Sequence, residues 1–473
     1  MRLLASPRAV ITHYLHLPGE GRVSNIVNRV LKMDDPAVEQ VLQDVRRDFT
    51  ARHRNINDTF MDHFARAAAM YGRDITGISN SRKLLIGAYF TKEYSIQSAA
   101  LFNPSIVTHP IQDGVAEGEK RFIMSLRATG EGHISSIVFQ TGIVDRNGTV
   151  NLDQAAKFYT RVIRKEDTIY TKNEFINLIQ HLDITDTGLL DLLPSSFSRG
   201  EVMEKLSILK SNHVASHQLS LLESLLDKNY ELVSPPGIPI NERVIFPSSM
   251  AESMGMEDVR FVEFVDGDEL SYYGTYTAYN GKQIVSQLIE TKDFETFKVR
   301  SLQGAAVSDK GMALFPSKVD GKYVMVSRQG GEKISIMFST NLYQWDTYQT
   351  LLEPKYAWEL VQLGNCGSPI KTEHGWLLLT HGVGAVRTYV ISAILLDLSN
   401  PSMVIGRLSK PLIVPEETER EGYVPNVVYT CGMLLHENVI LVPYAVSDSA
   451  ADFATVQLDE LLGELLSTSN HEQ

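Results

Sequence analysis

The feature that most constrains the fold is a long series of short strand-like runs that fills the chain from Val244 onward. These runs, among them LSYYGTYTAY, KISIMFST and TYVISAILLDL, are rich in β-branched and aromatic residues and are separated by Gly, Asn and Asp turns. Helical segments do not alternate with them, which disfavours a parallel α/β sheet. The runs therefore predict a mainly β fold built from antiparallel sheets.

A local pattern recurs within this stretch. TKDFETF at 291–297 and STNLYQW at 339–345 share a hydroxyl residue, an acidic or amide residue and a following aromatic, and LDLSNP at 396–401 is a weaker echo. The spacing of roughly 50 residues is typical of a β-propeller, in which each repeat is one blade of about four strands. The pattern favours a propeller and leaves a β-sandwich as the alternative.

Two other segments have helical periodicity. Apolar residues recur at i, i+3 and i+4 between Arg22 and Met70, and Asp34 and Asp35 precede Pro36 as an N-cap and first turn would. The run LLESLLDKNYELV has a leucine stripe of the same period. We predict an N-terminal helical segment over 1–82 and a β domain over 83–465, with a helical insertion at about 151–236.

Charge and cysteine content exclude several classes of function. The chain has 44 Lys+Arg against 57 Asp+Glu, a net charge of -13, and no basic block, which disfavours a nucleic-acid or anionic-membrane partner. Cys366 and Cys431 cannot form a disulfide framework or a metal site, and no run approaches the roughly 18 apolar residues of a membrane span. We expect a cytoplasmic protein without a bound metal.

The first candidate for chemistry is the sequence Glu257-Asp258-Val259-Arg260 at the start of a strand. Two adjacent carboxylates followed by an arginine allow one acid to be paired and ionised while the other stays protonated, as general acid catalysis requires. Taken alone, this peptide fits a solvated turn better.

The second candidate is a set of cations and a histidine near strand ends. His381 ends the strand GWLLLTHGV, and the following glycine lets a ligand approach the backbone; a structural histidine is equally compatible. Arg127, Lys310 and Arg328 lie near strand ends, the last two in runs rich in apolar residues and glycine, where an unpaired buried cation would be costly. A small anion pocket explains these cations, and so do ordinary salt bridges. Phosphate loops, serine-hydrolase elbows and zinc motifs are absent from the sequence.

Six runs together resemble glycoside hydrolase family 130, the β-mannoside phosphorylases and related β-mannosidases. The resemblance covers residues 84–461, and the N-terminal helices and the insertion resemble only longer members. The runs are LFNPSIV (101–107), GMEDVRFV (255–262), KGMALFPSKVDGKYVMVSR (310–328), PIKTEHGWLLLTHGV (369–383), LLDLSNPSMVIGR (395–407) and EGYVPNVVYTCG (421–432).

The resemblance implies a five-bladed β-propeller whose axial site cleaves β-mannosidic bonds with inversion. Asp258 matches the family's general acid, whose proton is thought to pass through a hydroxyl of the bound sugar, and Val259 replaces the usual proline. Gln362 stands where phosphorylases tend to have a lysine, so water is expected to compete with phosphate to some extent. The residues implied for phosphate binding are Lys310, Arg328, His381 and Tyr389, and those implied for sugar binding are Asn103, Arg127 and Asp448.

The leading functional prediction is an inverting phosphorylase that converts a β-mannoside oligosaccharide and inorganic phosphate into α-mannose 1-phosphate, without a cofactor. The alternative is a β-mannosidase, which needs a second carboxylate as base, roughly 6.5–9.5 Å from the acid, and Glu332 and Glu359 are the candidates. A non-catalytic carbohydrate-binding propeller is the third reading. A homo-oligomer is left open.

Overall fold

The computed structural model describes residues 2–179, 189–211, 216–307 and 310–469. Within these residues the protein is mainly β, with five antiparallel groups of strands that follow one another along the chain. Helices lie before the first group, between the first and second groups, and after the fifth group. Among the helices described, none has the length and apolarity needed to cross a membrane.

The N-terminal part is a small helical layer beside a two-stranded sheet. Helix α2 begins as predicted, because the Asp34 side chain accepts a hydrogen bond from the Ala37 N–H at 2.8 Å and Pro36 lies in the first turn. Helix α4 crosses residue 82, the boundary predicted from the sequence. The elements are β1 (Leu3–Leu4), β2 (Val10–Tyr14), α1 (Glu20–Leu31), α2 (Asp35–Phe49), α3 (Ile56–Tyr71), α4 (Asn80–Tyr89) and β3 (Thr91–Ser95).

The first group is followed by the predicted insertion, which contains short strands as well as helices. The leucine stripe lies on α8, with Leu222, Leu225 and Leu226 buried, and β12 extends the second group by pairing with its last strand. Residues 180–188 and 212–215 of the predicted insertion lie outside the described residues. The first group is β4 (Ala100–Thr108), β5 (Glu119–Thr129), β6 (Ser135–Asp145) and β7 (Val150–Leu152). The insertion and its exit are β8 (Thr160–Arg161), β9 (Ile163–Arg164), β10 (Ile169–Thr171), α5 (Lys172–Ile179), α6 (Leu189–Leu192), β11 (Ser196–Ser198), α7 (Arg199–Ser211), α8 (Ser216–Lys228), β12 (Tyr230–Val233) and β13 (Arg243–Ile245).

The other four groups are antiparallel meanders without long helices between them. The second group is β14 (Gly255–Asp266), β15 (Glu269–Tyr279), β16 (Ile284–Thr291) and β17 (Thr296–Ser301). The third group is β18 (Ala313–Leu314), β19 (Tyr323–Ser327), β20 (Ile334–Ser339) and β21 (Gln349–Leu352). The fourth group is β22 (Gln362–Asn365), β23 (Ile370–Lys371), β24 (Trp376–Val383), β25 (Tyr389–Leu396) and β26 (Val404–Arg407). The fifth group is β27 (Val428–Tyr429), β28 (Leu434–His436), β29 (Val439–Val446) and β30 (Ala450–Gln457), followed by α9 (Leu458–Ser469). The N-terminal strand β1 pairs with β30 and completes the fifth group.

The recurring sequence pattern occurs at the same position in three of these groups, the turn before the last strand. In the turn between β16 and β17, Thr291 Oγ1 accepts from the Phe294 N–H at 2.9 Å and Asp293 Oδ1 accepts from the next turn amides. Ser339 and Asp397 make equivalent bonds between β20 and β21 and between β25 and β26. The repeat is therefore a shared turn chemistry.

Apolar packing joins each group to the next and the fifth to the first. The first and second groups also share one hydrogen-bonded sheet, through the pairing of β6 with β14. Each group buries apolar side chains against its neighbour, and burial of a large side chain contributes about 1.5–3 kcal/mol. One pair of aromatic rings represents each interface, with the distance between ring centroids in parentheses. The first and second groups meet at Phe139–Phe261 (6.4 Å), the second and third at Phe264–Tyr323 (5.7 Å), and the third and fourth at Phe315–Trp376 (5.2 Å). The fourth and fifth groups meet at His381–Tyr429 (5.1 Å), and the fifth and first at Phe122–Phe453 (6.5 Å).

Candidate active site

Two residues with left-handed backbone bring polar side chains of the first two groups together. Asn103 in β4 (φ 50°) and Asp258 in β14 (φ 53°) each lie where a bulge shifts the register of the strand. Asn and Asp adopt this conformation more readily than other non-glycine residues. The Asn103 Nδ2 donates to Asp258 Oδ1 at 2.7 Å. The predicted catalytic carboxyl therefore contacts a predicted sugar-binding residue.

Arg127 holds both adjacent carboxylates. Its Nη1 donates to Asp258 Oδ1 at 3.1 Å and its Nη2 donates to Glu257 Oε1 at 2.7 Å. Its Nε donates to Ser135 Oγ at 2.9 Å, which fixes the plane of the guanidinium. Lys310 adds a second cation, because its Nζ donates to Glu257 Oε2 at 2.6 Å. These contacts join residues of the first three groups in one charged cluster.

Arg260 acts differently from the sequence-based expectation. Its Nη1 donates to the backbone oxygen of Asp258 at 3.2 Å, and its Nη2 donates to the Tyr429 hydroxyl at 2.6 Å. The direct ion pair with the Asp258 carboxylate comes instead from Arg127. The cause is the bulge after Glu257, which displaces neighbouring side chains from simple alternation.

Asp258 is ionised in this arrangement. Burial by itself raises the pKa of the Asp258 carboxyl, but the charges of Arg127, Lys310 and Arg260 outweigh burial and hold that pKa well below its ordinary value. The expectation that one acid of the pair is kept protonated is therefore not met at Asp258 in the protein alone. A role as general acid requires that bound substrates change the charge around this carboxyl.

Asp448 is a second carboxyl in the same electrostatic environment. It is half-buried in the turn between β29 and β30, with a left-handed backbone (φ 50°). Burial and then the negative charge of Asp258 raise the pKa of Asp448 to about 6, against the opposing effects of Arg127 and Arg387. The fifth group thus supplies a carboxyl with a raised pKa, within electrostatic reach of the ionised Asp258.

Arg328 and His381 form the other side of the site. The Arg328 Nη1 lies 3.3 Å from His381 Nε2, and Gln362 Nε2 lies 3.2 Å from the same nitrogen. Because a guanidinium can only donate, His381 Nε2 accepts and the ring proton is on Nδ1, which lies 3.8 Å from Cys366 Sγ. Among the described residues no carboxylate lies within ion-pair distance of Arg328, and its buried Nε has no hydrogen-bond partner.

His381 is neutral and fixed by aromatic neighbours. Burial and then the charges of Arg328 and Arg260 hold the pKa of His381 well below its ordinary value. The Tyr389 ring stacks on the imidazole, with centroids 5.8 Å apart and planes 9° apart, and Tyr429 packs against it edge-on. All four residues implied for phosphate binding thus lie in this cluster or in the Lys310 contact beside it.

The two candidate bases are placed differently from the cluster. Glu332 is exposed, after a short 3-10 turn. Glu359 is fully buried, where it pairs with Arg407 and accepts hydrogen bonds from the Lys355 and Tyr356 amides at 2.8 Å each. These contacts give Glu359 a structural role in the loop before β22.

Sequence reasoning did not assign Tyr429 or Asn365 to the site. Tyr429 accepts from Arg260 and contacts His381, and Asn365 is 1% exposed with its Oδ1 unpaired. The sequence feature that could have identified them is a polar side chain within an otherwise apolar or glycine-rich run: Tyr429 in VVYTCG and Asn365 in LGNCG. Buried polar groups are normally satisfied, so such positions are candidates for contact with a ligand.

A sequence model and several known proteins match this chain. A sequence model described as beta-1,4-mannooligosaccharide phosphorylase matches residues 237–466. A 1,2-beta-oligomannan phosphorylase of a Thermoanaerobacter species is 33% identical over 226 residues, which are 47% of this chain and 75% of that protein. A beta-1,2-mannobiose phosphorylase of Listeria innocua is 29% identical over 228 residues, which are 47% of this chain and 63% of that protein. The solved structure of the beta-1,2-mannobiose phosphorylase from Listeria innocua aligns with a TM-score of 0.47 at 22% identity, over 79% of this chain and 93% of that one.

The sequence runs that resemble the family at Asp258, Lys310, Arg328 and His381 all fall inside the matched segment. In the structure Lys310 contacts Glu257, the neighbour of Asp258, and Arg328 contacts His381. Three quarters of the Thermoanaerobacter protein is covered at 33% identity. The chain belongs to glycoside hydrolase family 130.

Proposed function

We propose that the five groups are the blades of a five-bladed β-propeller with the charged cluster at one end of its axis. The cyclic order of the packing interfaces supports this arrangement. Hydrogen bonds at the first strands support it as well: the Phe261 N–H donates to Ser105 Oγ at 3.0 Å, and the N–H of Cys431, two residues after β27, donates to the Pro104 oxygen at 2.8 Å. First strands that meet in this way would surround one central site.

The proposed reaction is the phosphorolysis of a β-mannoside with inversion, releasing α-mannose 1-phosphate. The observation that carries this proposal is Arg328, a half-buried guanidinium whose hydrogen-bond partner is the neutral imidazole of His381. A buried cation without a counter-ion is costly, and a bound anion would offset that cost. Phosphate also supplies the nucleophile, so this mechanism needs no general base and no cofactor.

The roles of the residues follow from their contacts. Arg328, Lys310, Tyr389 and the His381 cluster would hold phosphate, while Asn103, Arg127 and Asp448 would hold the mannosyl unit beside Asp258. Phosphate brings negative charge close to the cations that keep Asp258 ionised. The pKa of Asp258 would therefore rise in the complex, which favours protonation of this carboxyl when the leaving oxygen needs a proton.

In the bond-breaking step, an unprotonated phosphate oxygen attacks the anomeric carbon from the face opposite the leaving group. The glycosidic bond breaks, and the leaving oxygen takes a proton that originates on Asp258 and passes through a sugar hydroxyl, as the family resemblance implies. Fixed cations lower the repulsion between phosphate and the Asp258 side of the site. A hydrolase would instead need a free carboxylate base, and Glu359 is already committed to Arg407.

The test is phosphate dependence with two substrates, because the similar proteins are named for both β-1,2 and β-1,4 linkages. Purified protein is incubated with β-1,2-mannobiose or β-1,4-mannobiose, with and without phosphate, and products are separated. We expect mannose 1-phosphate only when phosphate is present, and we expect β-1,2-mannobiose to be the better substrate. Free mannose at an equal rate without phosphate would support the hydrolase, and no turnover with either sugar would favour a binding protein.

A further inference from the structure

Asn365 has an unpaired acceptor buried beside the proposed phosphate site. Its side chain is 1% exposed, its Nδ2 makes only a long contact of 3.4 Å to the Gly367 oxygen, and its Oδ1 has no partner. An unsatisfied buried acceptor costs about 1–3 kcal/mol. A hydrogen-bond donor from outside the protein would remove that cost.

Arg328 carries an unpaired donor, and its side chain lines the same space as this acceptor. The Nε of Arg328 is buried without a partner, although Nη1 of the same guanidinium contacts His381. Gly311, which follows Lys310, has φ +95°, and a Cβ at that position would lie 3.4 Å from Arg328 Cβ and 3.6 Å from Asn365 Oδ1. The Arg328 and Asn365 side chains therefore both line the space beside Gly311, where the Lys310 loop carries no side chain.

A group that fills this space must accept from Arg328 Nε and donate to Asn365 Oδ1. The protonated oxygen of hydrogen phosphate does both, because its lone pairs accept and its hydrogen donates. Sulfate has the same shape and charge but carries no proton at neutral pH. We propose that Asn365 is a specificity-determining residue that selects hydrogen phosphate over fully ionised oxyanions.

The same contact would orient the nucleophile, and this proposal rests on the proposed phosphorolysis. With the P–OH oxygen held at Asn365, the unprotonated oxygens are left to face Lys310 and the anomeric carbon. Only an unprotonated oxygen is a good nucleophile. Asn365 would then affect both the choice of anion and the attacking geometry, without touching the sugar.

The test measures binding of inorganic phosphate and of sulfate to the full chain by isothermal titration calorimetry at pH 7. The wild type should bind phosphate at least about tenfold more tightly than sulfate, since a site built around a substrate hydroxyl rejects an analogue that lacks it. Asn365→Leu, which keeps the branched shape of the side chain and removes the acceptor, should weaken phosphate binding by about tenfold or more and leave sulfate binding unchanged or tighter. Asn365→Ser should recover part of the selectivity, because a hydroxyl can also accept.

Ser392→Ala is the matched control, because Ser392 is also 1% exposed in the fourth group and its Oγ also lacks a partner. This variant should keep wild-type selectivity. If the wild type binds sulfate as tightly as phosphate, the pocket recognises charge alone and a water bridges Arg328 and Asn365; the inference is then wrong while phosphorolysis stands. If the wild type binds neither anion, the proposed phosphorolysis fails and the inference fails with it.

Discussion

Replacing Asp258 by asparagine separates proton transfer from geometry. Asn103 Nδ2 and Arg127 Nη1 both donate to the same oxygen, Asp258 Oδ1. In Asp258→Asn the amide oxygen must keep that position, since an NH₂ group cannot accept from two donors. The new NH₂ group therefore takes the place of Oδ2. The variant keeps both hydrogen bonds and has no proton that it can transfer.

The rate should fall by about 10²–10⁴-fold, the range that a general acid contributes. Phosphate should bind at least as tightly as in the wild type, because a negative charge has been removed from the site. The assay is release of mannose 1-phosphate with saturating mannobiose and phosphate, together with calorimetric binding of phosphate. A variant that keeps more than about one hundredth of the wild-type rate would refute the general-acid role.

The same variant should be less stable, and the loss should depend on pH. Both hydrogen bonds lose their ionised acceptor, although Arg127 keeps its charge, and we expect a loss of about 2 kcal/mol in the free energy of unfolding. Because the pKa of Asp258 is lower in the folded chain than in the unfolded chain, its ionisation stabilises the fold above about pH 4, and this contribution is lost as the pH falls through the folded value. Urea unfolding of both proteins should show the difference at pH 7 and a smaller one in acid. A difference that grows in acid would contradict the direction of the pKa shift.

Four further substitutions test the assignments separately. Arg328→Ala should raise the KM for phosphate by about ten- to a hundredfold and change the KM for mannoside little, and equal changes in both would place Arg328 elsewhere. Gln362→Lys should tighten phosphate by about tenfold or more and reduce free mannose among the products, whereas an unchanged product ratio would remove Gln362 from the pocket. Glu359→Gln should lower the free energy of unfolding by about 3–5 kcal/mol by breaking the pair with Arg407, while a stable but inactive variant would make Glu359 the base of a hydrolase. Because the pKa of Asp448 is raised to about 6 in the folded chain, the wild type should lose about 2–3 kcal/mol in the free energy of unfolding as the pH rises from about 4 to 6. Asp448→Asn has no carboxyl to ionise and should not show this loss. Identical pH profiles of the two proteins would contradict the shift.

The local elements were predictable because each follows from nearby residues. The N-cap at Asp34, the leucine stripe of α8 and the turns at Thr291, Ser339 and Asp397 all depend on side chains that contact their own backbone or their own helix face. The mainly β class followed from the strand-like runs in the same way. The predicted site residues from Asn103 to Asp448, an oligomeric state and the division at residues 82–83 stay predictions for experiment to test.

The partners of the charged residues could not be predicted from neighbours in sequence. Arg260 is two residues from Asp258, and sequence reasoning paired them, but a bulge turns its guanidinium toward Tyr429. Glu359 was a candidate base because it is near the pocket residues in sequence, but in the folded chain it forms an ion pair with Arg407. In both cases a long-range contact outweighs proximity along the chain.

By itself the sequence determined the strands, the helices, the turn chemistry and the residue types available for catalysis, because hydrophobic periodicity and capping act over a few residues. The tertiary structure decided which of those residues meet. Asn103 and Asp258 are 155 residues apart, and Arg260 and Tyr429 are 169 apart. Their contacts, and the unpaired atoms of Arg328 and Asn365, depend on how the five groups of strands pack against one another and on where bulges break the strand register. Burial and neighbouring charges then set the charge states. Three cations hold the pKa of Asp258 low despite its burial, whereas burial and then the charge of Asp258 raise the pKa of Asp448 to about 6.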